Sequence, residues 1–524
     1  MKKILIILLT LFVAMSAFAR GGDEVGMTEQ VVLRYNNGAE PESLDPALVT
    51  GVPEHNIYMA LFEGLVTYDP ETLEPVPGVA ERWESNDDGT QWTFYLRDDA
   101  AWSDGVPITA QTVVDSWLRT LAPETASEYA YMQTMVVEGA ADYNSGDAGA
   151  DVVGIRALDE TTFQVDLSAP AAYFVSMLAH YAYSIQPLHI IEEFGDEWTR
   201  PANIVSNGPF LLDEWIPQDR IVVIKNPDYW DADVVELDQI VFYPIDDQNT
   251  ALNLFLQDQI DWIEEVPNAR LDEMKLRDDY HNNAAFITYY YIFNTEVEAL
   301  DDVRVRQALS YAIDRTELVE QVTRGGQFPA YGLTPPLANY PEVVGFEEDF
   351  EEARDLLADA GYPNGDGFPT LTILYNTSEG HKRIAEYVQQ KWNEVLGIQV
   401  EILNQEWGTY LDSRDAGDFD ISRAGWQGDY IDPNSFLDMF ITGSSQNDGK
   451  WSNAEYDELI ETALTQSGET RLDTLREAEE MLMEELPIMP FYYYATSNWI
   501  DTDVWGGWYT NILDIHPFKD IYRK

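Results

Sequence analysis

Three consecutive tyrosines occur twice in this chain, at Tyr289-Tyr290-Tyr291 and at Tyr492-Tyr493-Tyr494. Successive side chains of a strand point to opposite faces, so each run must set large rings on both sides of its sheet. Either packing covers both faces, or one face opens into a cleft whose rings offer apolar surface and hydroxyl donors to a ligand. With 15 Trp, 30 Tyr and 21 Phe and 45% hydrophobic residues, the chain has the material for large cores. Its 524 residues predict several domains.

Strand and helix signals alternate without an internal repeat or a low-complexity linker. Trp92, Phe94 and Leu96 alternate with Thr93 and Tyr95, the period of a strand with one buried face. Ser103-Asp104-Gly105-Val106-Pro107 breaks that pattern, and Thr109 is placed to cap a helix opening at Ala110. A helix is expected over Glu351 to Ala360, stopped by Gly361 with Pro363 beyond it. Another is expected from His381, with Ile384, Val388, Trp392 and Val395 on one stripe and Gly397 as its left-handed cap. Ile398, Val400 and Ile402 then alternate as a strand. This mixture indicates an α/β or α+β protein.

Lys+Arg number 30 against 94 Asp+Glu, a net charge of −64. Such a chain is repelled by phosphate backbones and anionic membrane surfaces, which excludes nucleic acid as a partner. The surplus reads as a solvated surface suited to a salty habitat. Lys2 and Lys3 precede an apolar run from Ile4 to about Ala14, and Ala17-Phe18-Ala19 has the small-x-small form of a cleaved export signal. Residues 1–19 are therefore expected to be removed and the mature chain exported to the periplasm. With no cysteine there is no disulfide, thiolate metal site or lipid-modified cysteine to anchor it.

The sequence holds no Gly-x-Ser-x-Gly elbow, His-Glu-x-x-His helix, phosphate loop or dinucleotide turn. Its six histidines, His55, His180, His189, His281, His381 and His516, stand singly without metal-ligand spacing. Cations are scarce, which draws attention to His381, Arg414 and Arg423, three that could converge on one carboxylate.

Longer stretches carry a resemblance. Glu81-Arg82-Trp83, Trp92 to Arg97 and Trp102-Ser-Asp-Gly-Val-Pro-Ile-Thr-Ala110 resemble the signature of the extracellular solute-binding proteins of family 5, which serve peptide and nickel importers. Asn36 to Pro46, Phe62 to Leu65, Asn207-Gly208, Asn226 to Trp230 and Asp302 to Leu309 extend the resemblance over nearly the whole mature chain. Pro329 to Pro336, Tyr375 to Ser378, Asn404 to Trp407 and Arg423 to Tyr430 are similar to its oligopeptide-binding members. The resemblance implies a type II periplasmic binding protein fold: two lobes with an additional third domain, built of mixed sheets flanked by helices. Residues 20–62, 185–286 and 497–524 would form domain I, 63–184 domain II and 287–496 domain III.

It also implies a site for short peptides. Asp429 matches the aspartate that meets the peptide α-ammonium, and His381, Arg414 and Arg423 match the cations that meet its carboxylate. Gly425, Gln427 and Val52 match positions of main-chain pairing, and Tyr129, Tyr290, Trp407, Trp426 and Tyr494 match the aromatic lining. The chain departs from the pattern at Thr323, where a lysine is expected. Arg324 is adjacent, but helix geometry turns it about 100° away. Ile287 and Gln427 replace two cysteines, and Thr50 replaces an acid.

The implied mechanism is reversible capture without a cofactor, metal or bond-making step. A monomer closes on a short peptide and passes it to an inner-membrane ATP-binding-cassette permease. Two rivals are a family member for a nickel chelate, opine or oligosaccharide, and, more remotely, a secreted glycoside hydrolase using paired carboxylates, for which no motif is present.

Overall fold

The computed structural model describes residues 30–171 and 173–524. The export signal expected over residues 1–19 lies outside them. The local readings are met closely. The strand Gln91–Leu96 forms with Phe94 and Leu96 buried. The helix Ala110–Leu121 is capped reciprocally by Thr109 and Thr112, whose side chains serve each other's backbone N–H. Gly361, at φ +104°, follows the helix Phe350–Asp359, which starts one residue early because Asp349 accepts from the Glu351 and Glu352 N–H groups.

The helix placed from His381 begins two residues earlier, spanning Glu379–Leu396. Ser378 is the reason: its hydroxyl accepts from Gly380 and His381 N–H at the first turn. Ile384, Val388 and Trp392 form the buried stripe, and the Trp392 indole donates to Leu309 O at 2.8 Å. Each such side chain contributes about 1.5–3 kcal/mol by leaving water. Gly397 ends the helix at φ +75°. The following strand is Val400–Gln405, so Ile398 packs before it rather than in it.

The main sheet runs in the order Val400–Gln405, Leu371–Asn376, Ile421–Gln427, Tyr280–Phe293, Ile488–Ile500, Trp262–Ile263, Val32–Asn36, Gln239–Tyr243, Arg220–Lys225, Phe210–Ile216. A separate antiparallel sheet joins Ala80–Ser85, Gln91–Leu96, Thr162–Asp166 and Ile155–Ala157. Two long antiparallel strands, Tyr280–Phe293 and Ile488–Ile500, carry the main sheet's middle. Their register slips between Ala284↔Ala495 and Thr288↔Tyr493, three residues opposing one. At the slip Phe286 leaves the ladder: its N–H donates to Ile512 O at 2.7 Å and its carbonyl accepts from Gly428 N at 3.0 Å. Such a bulge bends the strand and re-aims its side chains.

The tyrosine runs lie on these two strands, and packing covers both faces. Tyr289 and Tyr291 belong to one core cluster and Tyr290 to another. Tyr289 stacks on Tyr492 with centroids 4.8 Å apart. Tyr494 alone of the six is only half-buried.

Candidate functional site

The strand Ile421–Gln427 supplies the centre of the site. Along one edge it pairs antiparallel with Tyr280–Phe293, from Ile287↔Gln427 to Phe293↔Ile421. Along the other it meets Leu371–Asn376 only at Ile421 and Ser422. Among the described residues, no strand pairs with the edge from Arg423 to Gln427. An unpaired row of N–H and C=O groups is a template for an added strand. Gly425 and Gln427 lie on it, and Ile287 and Gln427, which stand where cysteines were expected, are register partners.

Asp429 lies just beyond this strand and is 7% exposed. Tyr131 donates to its Oδ2 at 2.7 Å, and its backbone N–H donates to Ser435 Oγ at 2.7 Å. His180 Nε2 lies 3.3 Å from Oδ1. The Ala182 N–H donates to His180 Nδ1 at 3.2 Å, which leaves the ring proton on Nε2, facing the carboxylate. Tyr129 lies 4.9 Å from the His180 ring and stacks with Trp426 at 6.3 Å and 7°. The carboxylate is thus held in an aromatic wall, with the Tyr131 hydroxyl and a His180 ring nitrogen at its two oxygens.

Arg423 marks the other end. Its guanidinium donates to Asn376 Oδ1 at 3.3 Å and to the Tyr494 hydroxyl at 3.2 Å, and lies 5.0 Å over the Tyr289 ring. Its Nε is buried without a hydrogen-bond partner, and no carboxylate pairs with it among the described residues. A half-buried cation with only neutral partners is suited to an incoming anion.

The other expected cations are placed differently. Arg414 is already neutralised: its Nε donates to Asp448 Oδ2 at 3.0 Å, and its Nη2 bonds the same oxygen. His381 faces the Tyr289 hydroxyl at 3.4 Å, and burial, with Arg423 and Arg383 nearby, holds its pKa well below the ordinary 6.5. A lowered pKa favours the uncharged ring, which can still donate an N–H to a carboxylate. Arg324 grips both oxygens of Asp272 and sits at φ +59°. It therefore does not stand in for a lysine at Thr323, whose hydroxyl bonds Gln327.

Val52 departs from the extended segment expected for it. It is the first residue of the helix Val52–Leu61, because Pro53 fixes a helical φ there and Gly51 remains extended. Its spare group is the N–H of a helix first turn. Glu54 follows, 1% exposed, with Oε1 accepting from Glu42 N at 2.7 Å and from the Trp407 indole at 3.3 Å while Oε2 has no partner. Burial pushes its pKa from the ordinary 4.5 up to about 7. Because the folded value is the higher, no penalty exists below pH 4.5; it grows as pH rises and is full above 7. Glu54→Gln is expected to raise stability by about 2 kcal/mol at pH 8 and to change it little at pH 4.5. Urea denaturation at both pH values checks this, and a pH-independent difference would refute it.

Tyr290 packs on the face opposite Tyr289, 3% exposed, and so lines the core more than the edge. Tyr131, His180 and Asn376, which complete the two ends of the site, were not singled out by the sequence. The Tyr131–Asp429 bond joins residues 298 apart, and no local pattern announces such a meeting. Among the described residues no group of His, Cys, Asp or Glu is placed to hold a metal.

A family model described as bacterial extracellular solute-binding proteins, family 5 middle, matches residues 74–448. The chain belongs to this family. It is 39% identical to the periplasmic oligopeptide-binding protein OppA of Salmonella typhimurium, over 99% of this chain and 96% of that one. A solved family structure, Haemophilus influenzae OppA in complex with RPPGFSPFR, superposes with a TM-score of 0.90 at 33% identity, covering 94% and 99% of the two chains. The Escherichia coli murein tripeptide-binding protein MppA matches twice at 36% identity. The TM-score is 0.91 for one structure, covering 94% and 99%, and 0.65 for the unliganded open form, covering 94% and 98%. One sequence giving two scores isolates conformation as the difference, so this chain is not in that open arrangement. The fold is that of the type II periplasmic binding proteins, α/β with mixed sheets and helices.

Proposed function

We propose that this chain is the periplasmic substrate-binding component of an importer, capturing short peptides and delivering them to an inner-membrane permease. One observation carries the reading: among the described residues, an unpaired strand edge runs from a half-buried arginine with no carboxylate partner to a buried carboxylate with no Lys or Arg partner. A zwitterion in extended conformation complements all three features, its backbone adding to the edge and its termini meeting Asp429 and Arg423. Main-chain pairing is indifferent to side chains, which gives breadth of sequence. The relatives, named as peptide-binding proteins, support this ligand class.

Capture involves no bond-making step, so the reading is of a binding protein rather than an enzyme, acting as a monomer in the periplasm. Its domain division is that implied by the sequence. Support comes from Val32–Asn36 pairing with Gln239–Tyr243 and Trp262–Ile263, the latter pairing with the end of Ile488–Ile500. Calorimetric titration of the mature, ligand-stripped protein with a tripeptide mixture is expected to show tight binding. The same mixture N-acetylated is expected to lose at least about a hundredfold, because the cap removes the charge that Asp429 meets. Equal binding of both would remove Asp429 from the site. Binding of neither would favour a non-peptide ligand.

A further inference from the structure

Close behind Asp429 lies a second carboxyl group that the capture step does not use. Asp438 follows the short helix Asn434–Leu437 and is 2% exposed. Its Oδ2 accepts from the Asn434 amide, one turn earlier, at 3.2 Å, and its Oδ1 is buried without a hydrogen-bond partner. Among the described residues no Lys, Arg or His pairs with it. Arg471, on the helix Gly468–Glu485, is engaged with both oxygens of Asp432 at 2.8 Å. The neighbouring charges that Asp438 does feel, on Asp429 and Asp432, are negative like its own.

Tyrosines surround the rest of it. Tyr131, Tyr183 and Tyr456 stand near, but their hydroxyls donate elsewhere, to Asp429, Met132 O and Leu437 O. Tyr173 and Tyr430 stack on each other at 5.1 Å. Burial raises the pKa of all five phenols above the ordinary 10, so none of them titrates in place of Asp438. The Met439 N–H and the Tyr430 hydroxyl favour an ionised Asp438, but burial and the two like charges outweigh them and hold its pKa well above 3.8. His180, 3.3 Å from Asp429, is the other group at this end that can exchange a proton.

An enclosed carboxylate with no counter-ion, beside a second carboxylate, is costlier than the neutral acid. We infer that Asp438 is a second working carboxyl of the ammonium end, holding a proton in the free protein and releasing it to solvent when a peptide's α-ammonium meets Asp429. This rests on the proposed capture of peptides and adds to it a coupled proton. The arriving positive charge offsets the repulsion from Asp429 and lowers the Asp438 pKa by about 1–3 units. Because the bound value is the lower, release is confined to the pH range between the bound and free values. Affinity rises with pH across that range, by about tenfold per unit at most.

The test is calorimetric titration of the ligand-stripped mature protein with trialanine, from about pH 5 to 8, in paired buffers of unlike ionisation enthalpy. Wild type is expected to release a proton in excess of Asp438→Asn, with a maximum within this range. The peptide's own amine titrates equally against both proteins and cancels in the difference. Equal proton release by the two proteins at every pH would overturn the inference and leave peptide capture intact. A difference infrared spectrum of the wild type decides the matter if the variant fails to fold. A protonated-carboxyl band is expected to vanish on adding trialanine and to persist with saturating N-acetyl-trialanine; any other pattern overturns the inference. Failure of every peptide to bind would overturn the reading beneath it.

Discussion

Asp429→Asn is expected to weaken binding of free peptides by about 3–5 kcal/mol, a hundred- to several-thousand-fold loss of affinity. The substitution keeps the side chain's shape, and its amide oxygen still accepts from Tyr131, so the pocket should persist. What it removes is the charge proposed to meet the ligand's ammonium. Tyr131 and His180 hold the carboxylate in place but cannot replace it. An ammonium brought into this aromatic wall without a counter-ion would pay its desolvation in full. The decisive comparison is a cycle between protein and ligand. N-acetylated peptide should bind wild type and Asp429→Asn about equally weakly, so that nearly the whole effect appears as coupling between the carboxylate and the ammonium. If Asp429→Asn lowers the affinity of capped and free peptides by the same factor, the residue supports the pocket and does not meet the terminus.

How far the residues announce this arrangement depends on how local each feature is. The helix Glu379–Leu396 was legible from its stripe and from Gly397; its start was missed by two residues because the cap is a single hydroxyl, that of Ser378. The paired tyrosine runs left two readings open, and the structure combines them. Tyr289, Tyr290 and Tyr291 are buried on both faces, yet Tyr289 and the half-buried Tyr494 also touch Arg423. The strand order of the main sheet was not legible, because neighbours such as Val32–Asn36 and Gln239–Tyr243 are joined by pairing and not by sequence. Asp429 and Arg423 were reachable through their motif, but which cation stays available is decided by partners elsewhere. Nothing near Arg414 in the chain shows that Asp448 neutralises it, and nothing near His381 shows that burial and Arg423 lower its pKa.

Asp45→Ala is expected to cost about 2–4 kcal/mol of folding stability, because it breaks a partly buried ion pair that joins three distant stretches. Asp45 is 5% exposed, and both its oxygens are engaged. Arg119, in the last turn of the helix Ala110–Leu121, donates to Oδ1 at 2.9 Å and to Oδ2 at 2.6 Å. The indole of Trp198, itself 1% exposed, donates to Oδ2 at 3.0 Å, and Ala47 N–H to Oδ1 at 3.0 Å. Removing the carboxylate leaves a largely enclosed guanidinium with Gln186 as its remaining side-chain partner, at 2.6 Å, and an indole N–H with none. The unpaired charge is the larger part of the loss, so the double variant Asp45→Ala with Arg119→Met should recover most of it. Urea denaturation at fixed pH measures both. A single-variant cost below about 1 kcal/mol would place the pair among weak surface bridges, and the three stretches would then be held together by their apolar contacts instead.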